Sequence, residues 1–411
     1  MTADAQRIPL EQARRAIFGA VQPLAPIELP LAEAYGCVIA ADVPTEYDIP
    51  PFSSAAVDGA AVRAADVVSA GEDSPVLLRV AGWSRPGRPP EATVGWGESV
   101  LCAAGAPLPA GADCVAAGPA LGVEGSSVRV SLPVEPGENV RPAGEDVRAG
   151  SVLAPAARRL TGAELGILAT AGYGTVLAYP KVRVGVLSMG DLVEPGRPTG
   201  FGQVRDSNSY LLLGALRELG AVPYRIGIVP DVERELGESL ASNLLRADGI
   251  VCSGEVTTQE GEGGLPNLLA GLGDLRIHRV AMEPGGTLVF GLVDGRPFFS
   301  FPPEPLSAAV GFEVLARPAF LKMMGRRDVT RPEVTAVLDE EAPGTEGVTG
   351  FIPAAVGHQE GAWHARPLGP AAPGRLGAAA QGNGFVVVPA DRASIPAGER
   401  VRVQIFRSLE R

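Results

Sequence analysis

Cysteine is scarce in this chain of 411 residues: there are four, Cys37, Cys102, Cys114 and Cys252, and none forms a C-x-x-C pair. That scatter offers no zinc ligand set. Histidine is scarcer still, and His278, His358 and His364 are too dispersed for a His-rich metal site. No uninterrupted apolar stretch reaches membrane-spanning length, so no membrane insertion is expected. The opening "MTADAQRIPL" lacks a basic start followed by an apolar run, and no secretory signal is expected. Free thiols without such a signal point to a reducing cytoplasm. Positive charge is in deficit, with 35 Lys and Arg against 47 Asp and Glu and a net charge of -12. That balance argues against nonspecific nucleic-acid binding and against an anionic membrane surface, because both need positive charge.

What is present reads as globular, with 46% hydrophobic and 20% charged residues. The length exceeds one ordinary core, so two to four domains are expected. Gly 53 and Pro 38 imply many turns and substantial β structure. Residues 9–24 place Leu10, Ala13, Ile17, Ala20 and Val21 on one helical stripe. Between residues 51 and 140, short alternating runs such as "SSVRVSLPV" sit between Gly/Pro turns and predict a β-rich region. "RLTGAELGILATAGYG" predicts a helix with Thr161 and Glu164 as its capping box. From residue 181 strands and helices alternate. "KVRVGVLSMGD", "VPYRIGIVP" and "DGIVCSGE" read as strands. The intervening helices bury Leu212, Ala215, Leu216 and Leu219, then Leu236, Leu240 and Leu244, and the first is opened by Asp206, Ser207 and Asn208. This rhythm predicts a parallel sheet with functional turns at the strand C-termini. After "KMMGRRD" short strands and turns return.

One junction is chemically odd. "SFPPEPLSA", Ser300 to Ala308, joins a strand to a helix, where free backbone N–H groups usually bind anions. Pro302, Pro303 and Pro305 have no N–H, and Glu304 adds negative charge.

Several stretches together resemble the MoeA/gephyrin E-domain family of molybdenum-cofactor biosynthesis. They are "IPPFSSAAVDGAAVRAADV", "GAPLPAGADCV", "PGENVRPAGEDVRAGSVL", "VGVLSMGDLVEPG", "GQVRDSNSYLL", "CSGEV", "AMEPGGTLVFG" and "SFPPEPLSA", in family order from residue 8 to residue 405. The resemblance implies a multidomain α/β plus β fold. A linker or dimerisation domain would take residues 1–50 and 140–178, a β-rich domain 51–139, a MogA-like α/β molybdopterin-binding domain 179–325 and a C-terminal β-barrel 326–411. It also implies a homodimer and the insertion of molybdate into adenylylated molybdopterin, with Mg2+ and release of AMP.

Carried over residue by residue, the resemblance assigns Asp58, Asp191, Asp231 and Glu262 to the catalytic remnant. It assigns Ser188, Gly190, Ser253, Gly254, Arg279 and Ser307 to ligand binding. Asp58 is equally explained as a turn aspartate, and Asp231 as a helix cap. Other family positions are replaced: Ala104 for a threonine, Leu192 for a glutamate, Glu283 and Gly286 for lysines, and Pro303 and Glu304 for the Gly-Asn of the phosphate turn. Pro353 and Gly377-Ala378 stand near a family arginine and a hydroxyl pair. A charge-assisted hydrogen bond is worth roughly 1.5–3 kcal/mol, so these losses weaken anion binding by several kcal/mol. Three readings follow: a divergent molybdenumtransferase using Mg2+ and molybdopterin, a noncatalytic scaffold with a protein partner and no cofactor, or a neofunctionalised enzyme or small-molecule binder in which Glu255, Glu260, Glu262, Glu283 and Glu304 cluster to bind a cation or a basic ligand.

Overall fold

The computed structural model describes residues 7–230, 232–254, 257–258, 261–262, 269, 271–369 and 373–407. The chain divides into two compact units. One comprises residues 30–35 and 41–176, the other 1–29, 36–40 and 177–411.

The first unit holds a six-stranded sheet in the order Leu121–Glu124, Ser127–Val130, Val76–Ser84, Glu98–Cys102, Gly59–Val62, Cys114–Ala116. The pair Val76–Ser84 and Glu98–Cys102 is parallel, and the other pairings are antiparallel. Alternation in "SVRV" buries Val128 and Val130 against Ala60, Val62, Leu78 and Cys114. In the same unit the helix Gly162–Thr170 starts from a formed capping box. The Thr161 N–H donates to Glu164 Oε2 at 2.9 Å, and Arg158 Nε donates to Oε1 at 2.9 Å. The Thr161 hydroxyl, followed against the opposing effect of burial by Arg158, pulls the Glu164 carboxyl down to about 2.

The second unit carries the α/β region. Its strands are β1 (Arg183–Met189), β2 (Val222–Val229), β3 (Gly249–Ser253), β4 (Gly273–Ile277), β5 (Val289–Val293) and β6 (Arg296–Phe301). They form one sheet in the order β2-β1-β3-β6-β5-β4. The expected parallel sheet holds for β2, β1, β3 and β6. Strands β5 and β4 run antiparallel at one edge, so the sheet is mixed. The cause is local: Asp294 and Gly295, with φ of 51° and 72°, form a two-residue hairpin between β5 and β6. Alternation along the strands supplies two cores. Leu187, Cys252 and Phe298 pack with Leu236, Leu240 and Leu244. Val186, Val251 and Phe299 pack with Leu212, Leu216 and Phe320. Leu219 is buried as the spacing predicts, while Ala215 is half-buried.

The N-terminal helix spans Leu10–Ala20, shorter than the stripe suggests. Val21 is already extended, and Pro23 disfavours helix at the residue before it. Leu10, Ala13, Ile17 and Val21 are buried, and Ala20 is half-buried.

A five-stranded barrel closes the second unit. Thr349–Gln359, Ala362–Pro367, Glu333–Leu338, Arg400–Ile405 and Gly384–Val388 pair in that order, and Gly384–Val388 returns to Thr349–Gln359. Closure removes sheet edges. Strand Val280–Glu283 adds in parallel at Thr349, and Ile8–Pro9 adds to it in turn. Among the described residues no helix is long and apolar enough to cross a membrane.

Candidate functional site

In a sheet that runs outward from β1 in both directions, ligands bind where the order reverses, at the strand C-termini. Here that point lies between β1 and β3, whose ends place Ser188 directly beside Ser253. Phe301 at the end of β6 stands beside Ser253, so the turn Ser300–Ala308 belongs to the same crevice. Gly254 leaves β3 with φ +124°, and a Cβ there would stand 2.8 Å from the Met189 carbonyl oxygen. Only glycine meets both demands. Gly190, φ +113°, makes the corresponding turn after β1.

A buried carboxylate organises one side of the crevice. Ser188 Oγ donates to Asp206 Oδ1 at 2.8 Å, and Ser209 donates to the same carboxylate through its N–H at 3.1 Å and its hydroxyl at 2.5 Å. Arg225 Nη2 donates to Asp206 Oδ2 at 2.9 Å, and its Nη1 pairs with Glu194 Oε1 at 2.8 Å. Burial pushes the Asp206 carboxyl up, but the bonds from Ser209, Arg225 and Ser188 outweigh it and hold the group below its ordinary value. Burial likewise pulls Arg225 down, and Asp206 and Glu194 overcome that pull and raise it. The sequence reading names Ser188 but misses Asp206 and Arg225. Asp206 reads there as a helix cap, which it also is through the Ser209 N–H. Arg225 lies inside a strand pattern and gives no signal of its own.

Asn208 connects the crevice to the turn. Its Nδ2 donates to Ser253 Oγ at 2.6 Å and to the Pro303 carbonyl at 2.8 Å. Its Oδ1 is buried and has no hydrogen-bond partner among the described residues. An orphaned acceptor costs roughly 1–3 kcal/mol unless something donates to it. Asn208 therefore fits a ligand with an N–H or O–H donor, as a pterin has.

Several groups of the turn are engaged by the protein around it. The Pro302 carbonyl accepts from Ser253 Oγ at 3.4 Å and the Pro303 carbonyl from Asn208. Pro305 opens the helix Pro305–Gly311, as its fixed φ favours. The Leu306 N–H donates to the Pro373 carbonyl at 2.9 Å, and the Ala308 N–H to the Glu304 carbonyl at 3.1 Å. Glu304 and Pro303 are exposed, while Ser307 is buried.

The other positions singled out in the sequence fall as follows. Asp191 is exposed and Leu192 half-buried after β1. Arg279 precedes Val280–Glu283, and its carbonyl accepts from the Ile8 N–H at 3.2 Å. Glu283 is exposed and accepts from Thr345 Oγ1 at 2.8 Å. Gly286 is packed so that a Cβ would lie 2.7 Å from the Met282 carbonyl oxygen, so a lysine there needs a shifted backbone. The neighbouring Gly285, φ +96°, lies against Ser307, where a Cβ would meet its carbonyl oxygen at 2.9 Å. Pro353 is buried in the barrel, and Gly377 and Ala378 sit in the helix Leu376–Gln381. In the first unit Asp58 and Ala104 meet, the Ala104 N–H donating to Asp58 Oδ1 at 2.7 Å. Asp231, Glu255 and Glu260 lie outside the described residues, as does the side chain of Glu262. Among the described residues no group of three or more His, Cys, Asp or Glu converges to hold a metal ion. Both Asp206 oxygens are already engaged by donors.

Comparison with known proteins follows the same order of domains. The family "MoeA N-terminal region (domain I and II)" matches residues 8–172, "Probable molybdopterin binding domain" matches 185–322, and "MoeA C-terminal region (domain IV)" matches 335–406. Molybdopterin molybdenumtransferase 1 of Mycobacterium tuberculosis (strain ATCC 25618 / H37Rv) is 36% identical over 419 residues, covering 96% of this chain and 97% of that protein. Molybdopterin molybdenumtransferase 2 of the same strain is 32% identical over 400 residues, covering 96% and 98%. Two structures of a molybdopterin biosynthesis MoeA protein from Pyrococcus horikoshii superpose with TM-scores of 0.80 and 0.73, at 29% and 27% identity, each covering 98% of this chain and 100% of that one. With its α/β crevice, its closed barrel and matches running from residue 8 to residue 406, this chain belongs to the MoeA family of molybdenum-cofactor biosynthesis.

Proposed function

We propose that this protein keeps the MoeA crevice for a molybdopterin-type ligand but has lost, or strongly reduced, the insertion of molybdate into adenylylated molybdopterin. The observation that carries the reading is the turn Ser300–Ala308. Three prolines lack N–H groups, the Leu306 N–H is spent on Pro373, and Glu304 brings negative charge where an anion must sit. Asp58, Asp191, Asp231 and Glu262 are the acidic remnant, and Ser188, Ser253, Arg279 and Ser307 the binding remnant. The ligand class is supported by the molybdenumtransferase names of relatives over 30% identical and by the orphaned Asn208 acceptor. The domain limits 1–50 with 140–178, 51–139, 179–325 and 326–411 belong to the same reading.

The test is molybdate insertion by the purified protein beside a Mycobacterium tuberculosis relative. This chain is expected to be slower by roughly a hundredfold or more, from the loss of two charge-assisted contacts. A comparable rate would overturn the reading. The double variant Pro303→Gly with Glu304→Asn is expected to gain roughly tenfold.

A homodimeric scaffold is the second reading. It is supported by large exposed aromatics, Trp96 at 83% and Phe201 fully open, which are commonly covered by a partner. Light scattering that finds a monomer at micromolar concentration would end it. A cytoplasmic setting accords with four free, buried cysteines.

A further inference from the structure

A cavity of about 550 Å3 lies between the N-terminal helix, the helical stretch 312–323 and the barrel, and no residue of the crevice lines it. Ile17, Phe18, Val314, Leu315, Pro318 and Val329 give it an apolar body. Its size is that of pockets for small organic molecules, roughly 300–1,000 Å3. One wall is Glu313, Val314 and Leu315, in the π-helix Phe312–Ala316, a rare conformation found mostly at functional sites. The opposite wall is fixed by Lys322, whose Nζ donates to the Phe18 carbonyl at 2.6 Å and stands 4.4 Å from the Phe18 ring centroid.

The polar groups of the cavity are few and specific. Gln404, on the barrel strand Arg400–Ile405, is 6% exposed and lines the cavity. Its side-chain amide has no hydrogen-bond partner among the described residues. A buried amide left unpaired costs free energy unless a ligand bonds it. Glu313 accepts from Arg331 Nε and Nη2 at 2.8 Å each and also faces Arg317 at 3.8 Å. Two guanidiniums on one carboxylate leave a net positive charge at this wall. Burial, and then Arg331, pull Arg317 down to about 10, and its buried Nε has no hydrogen-bond partner. At the mouth Arg14 is paired with Glu11 at 2.6 Å, and Glu333 faces Arg402 at 3.7 Å. Arg15, also at the mouth, is exposed and has no ion-pair partner among the described residues. Positive charge around an apolar cavity stands out in a chain with a net charge of -12. We propose that this cavity binds a small organic molecule with an apolar skeleton and one carboxylate. The skeleton lies against Phe18 and Leu315, and the carboxylate accepts from the Gln404 amide in the field of Arg15. This goes beyond the function proposed above, because it uses no residue of the crevice and needs no molybdopterin.

The experiment is calorimetric titration of the full chain with octanoate and, separately, with octanol. Saturable octanoate binding is expected, with octanol weaker by roughly tenfold or more. Gln404→Leu should weaken octanoate roughly tenfold and Arg15→Gln roughly threefold, while Arg400→Gln, on the same strand but outside the cavity, leaves it unchanged. Gly19 lines the cavity from an exposed helical position, and a Cβ there meets nothing within 4 Å. Gly19→Trp therefore fills the cavity without a backbone clash and should abolish octanoate binding even where Gln404→Leu disturbs the barrel. No saturable octanoate binding, equal binding of octanol, or affinity unchanged in Gly19→Trp overturns the proposal. A dimer seen by light scattering and lost in Gly19→Trp, with no octanoate bound, assigns the face to a second copy of the chain and also overturns it. Absent molybdate insertion with intact octanoate binding leaves it standing.

Discussion

At the scale of single residues, Asp206 is the group on which most donors of the crevice converge. Asp206→Asn removes a buried charge whose partners stay in place, and is expected to cost about 3 kcal/mol in urea unfolding. Arg225→Ala is expected to cost a similar amount, because it strands the buried carboxylate. The pH dependence follows from the depressed Asp206 value. Its contribution is fully present above the ordinary aspartate value of 3.8 and is lost as pH falls below it. Asp206→Asn should flatten that acid limb of the stability curve. None of this was legible in "RDSNSYLL", because helix caps and buried charge partners use the same residue types. The replaced cations were legible as letters, but their meaning was not. Lys181 and Lys322 are the only lysines of the chain, so the family's lysines are absent against a general preference for arginine. Position 283 holds Glu and position 286 a glycine with no room for a side chain, which preference for arginine does not explain.

At the scale of elements, the strand–helix alternation from residue 181 was readable because buried strands and amphipathic helices have different periods. The antiparallel strands β4 and β5 were missed, although "VDGR" carried the hairpin signal at Asp294-Gly295. Phe299 on β6 packs against Phe290 at 4.8 Å and Phe320 at 5.7 Å between ring centroids. Phe299→Ala is expected to cost about 3–5 kcal/mol by chemical denaturation. Gly254→Ala imposes a left-handed backbone on a side chain and a clash with Met189, and is expected to cost about 1–3 kcal/mol. A fully stable Gly254→Ala protein would show that the turn after β3 is not held as described.

At the scale of the whole molecule, two compact units predict two calorimetric transitions. Glu164→Gln should lower only the one belonging to residues 41–176, and Phe299→Ala only the other. The Glu164 contribution is present above its unbound value of 4.5 and is lost as pH falls toward about 2, so Glu164→Gln should also flatten the acid limb of its own transition. The sequence by itself determined the class of fold, the order of its parts and the family, because these rest on local periodicity and on motifs that survive in line. It also determined that the turn Ser300–Ala308 is short of N–H groups, since proline lacks one wherever it sits. Only the tertiary structure decided where the Leu306 N–H goes and that Asp206 and Arg225 meet behind Ser188. These are contacts between residues far apart in the chain, and their partners are chosen by packing rather than by neighbours in sequence.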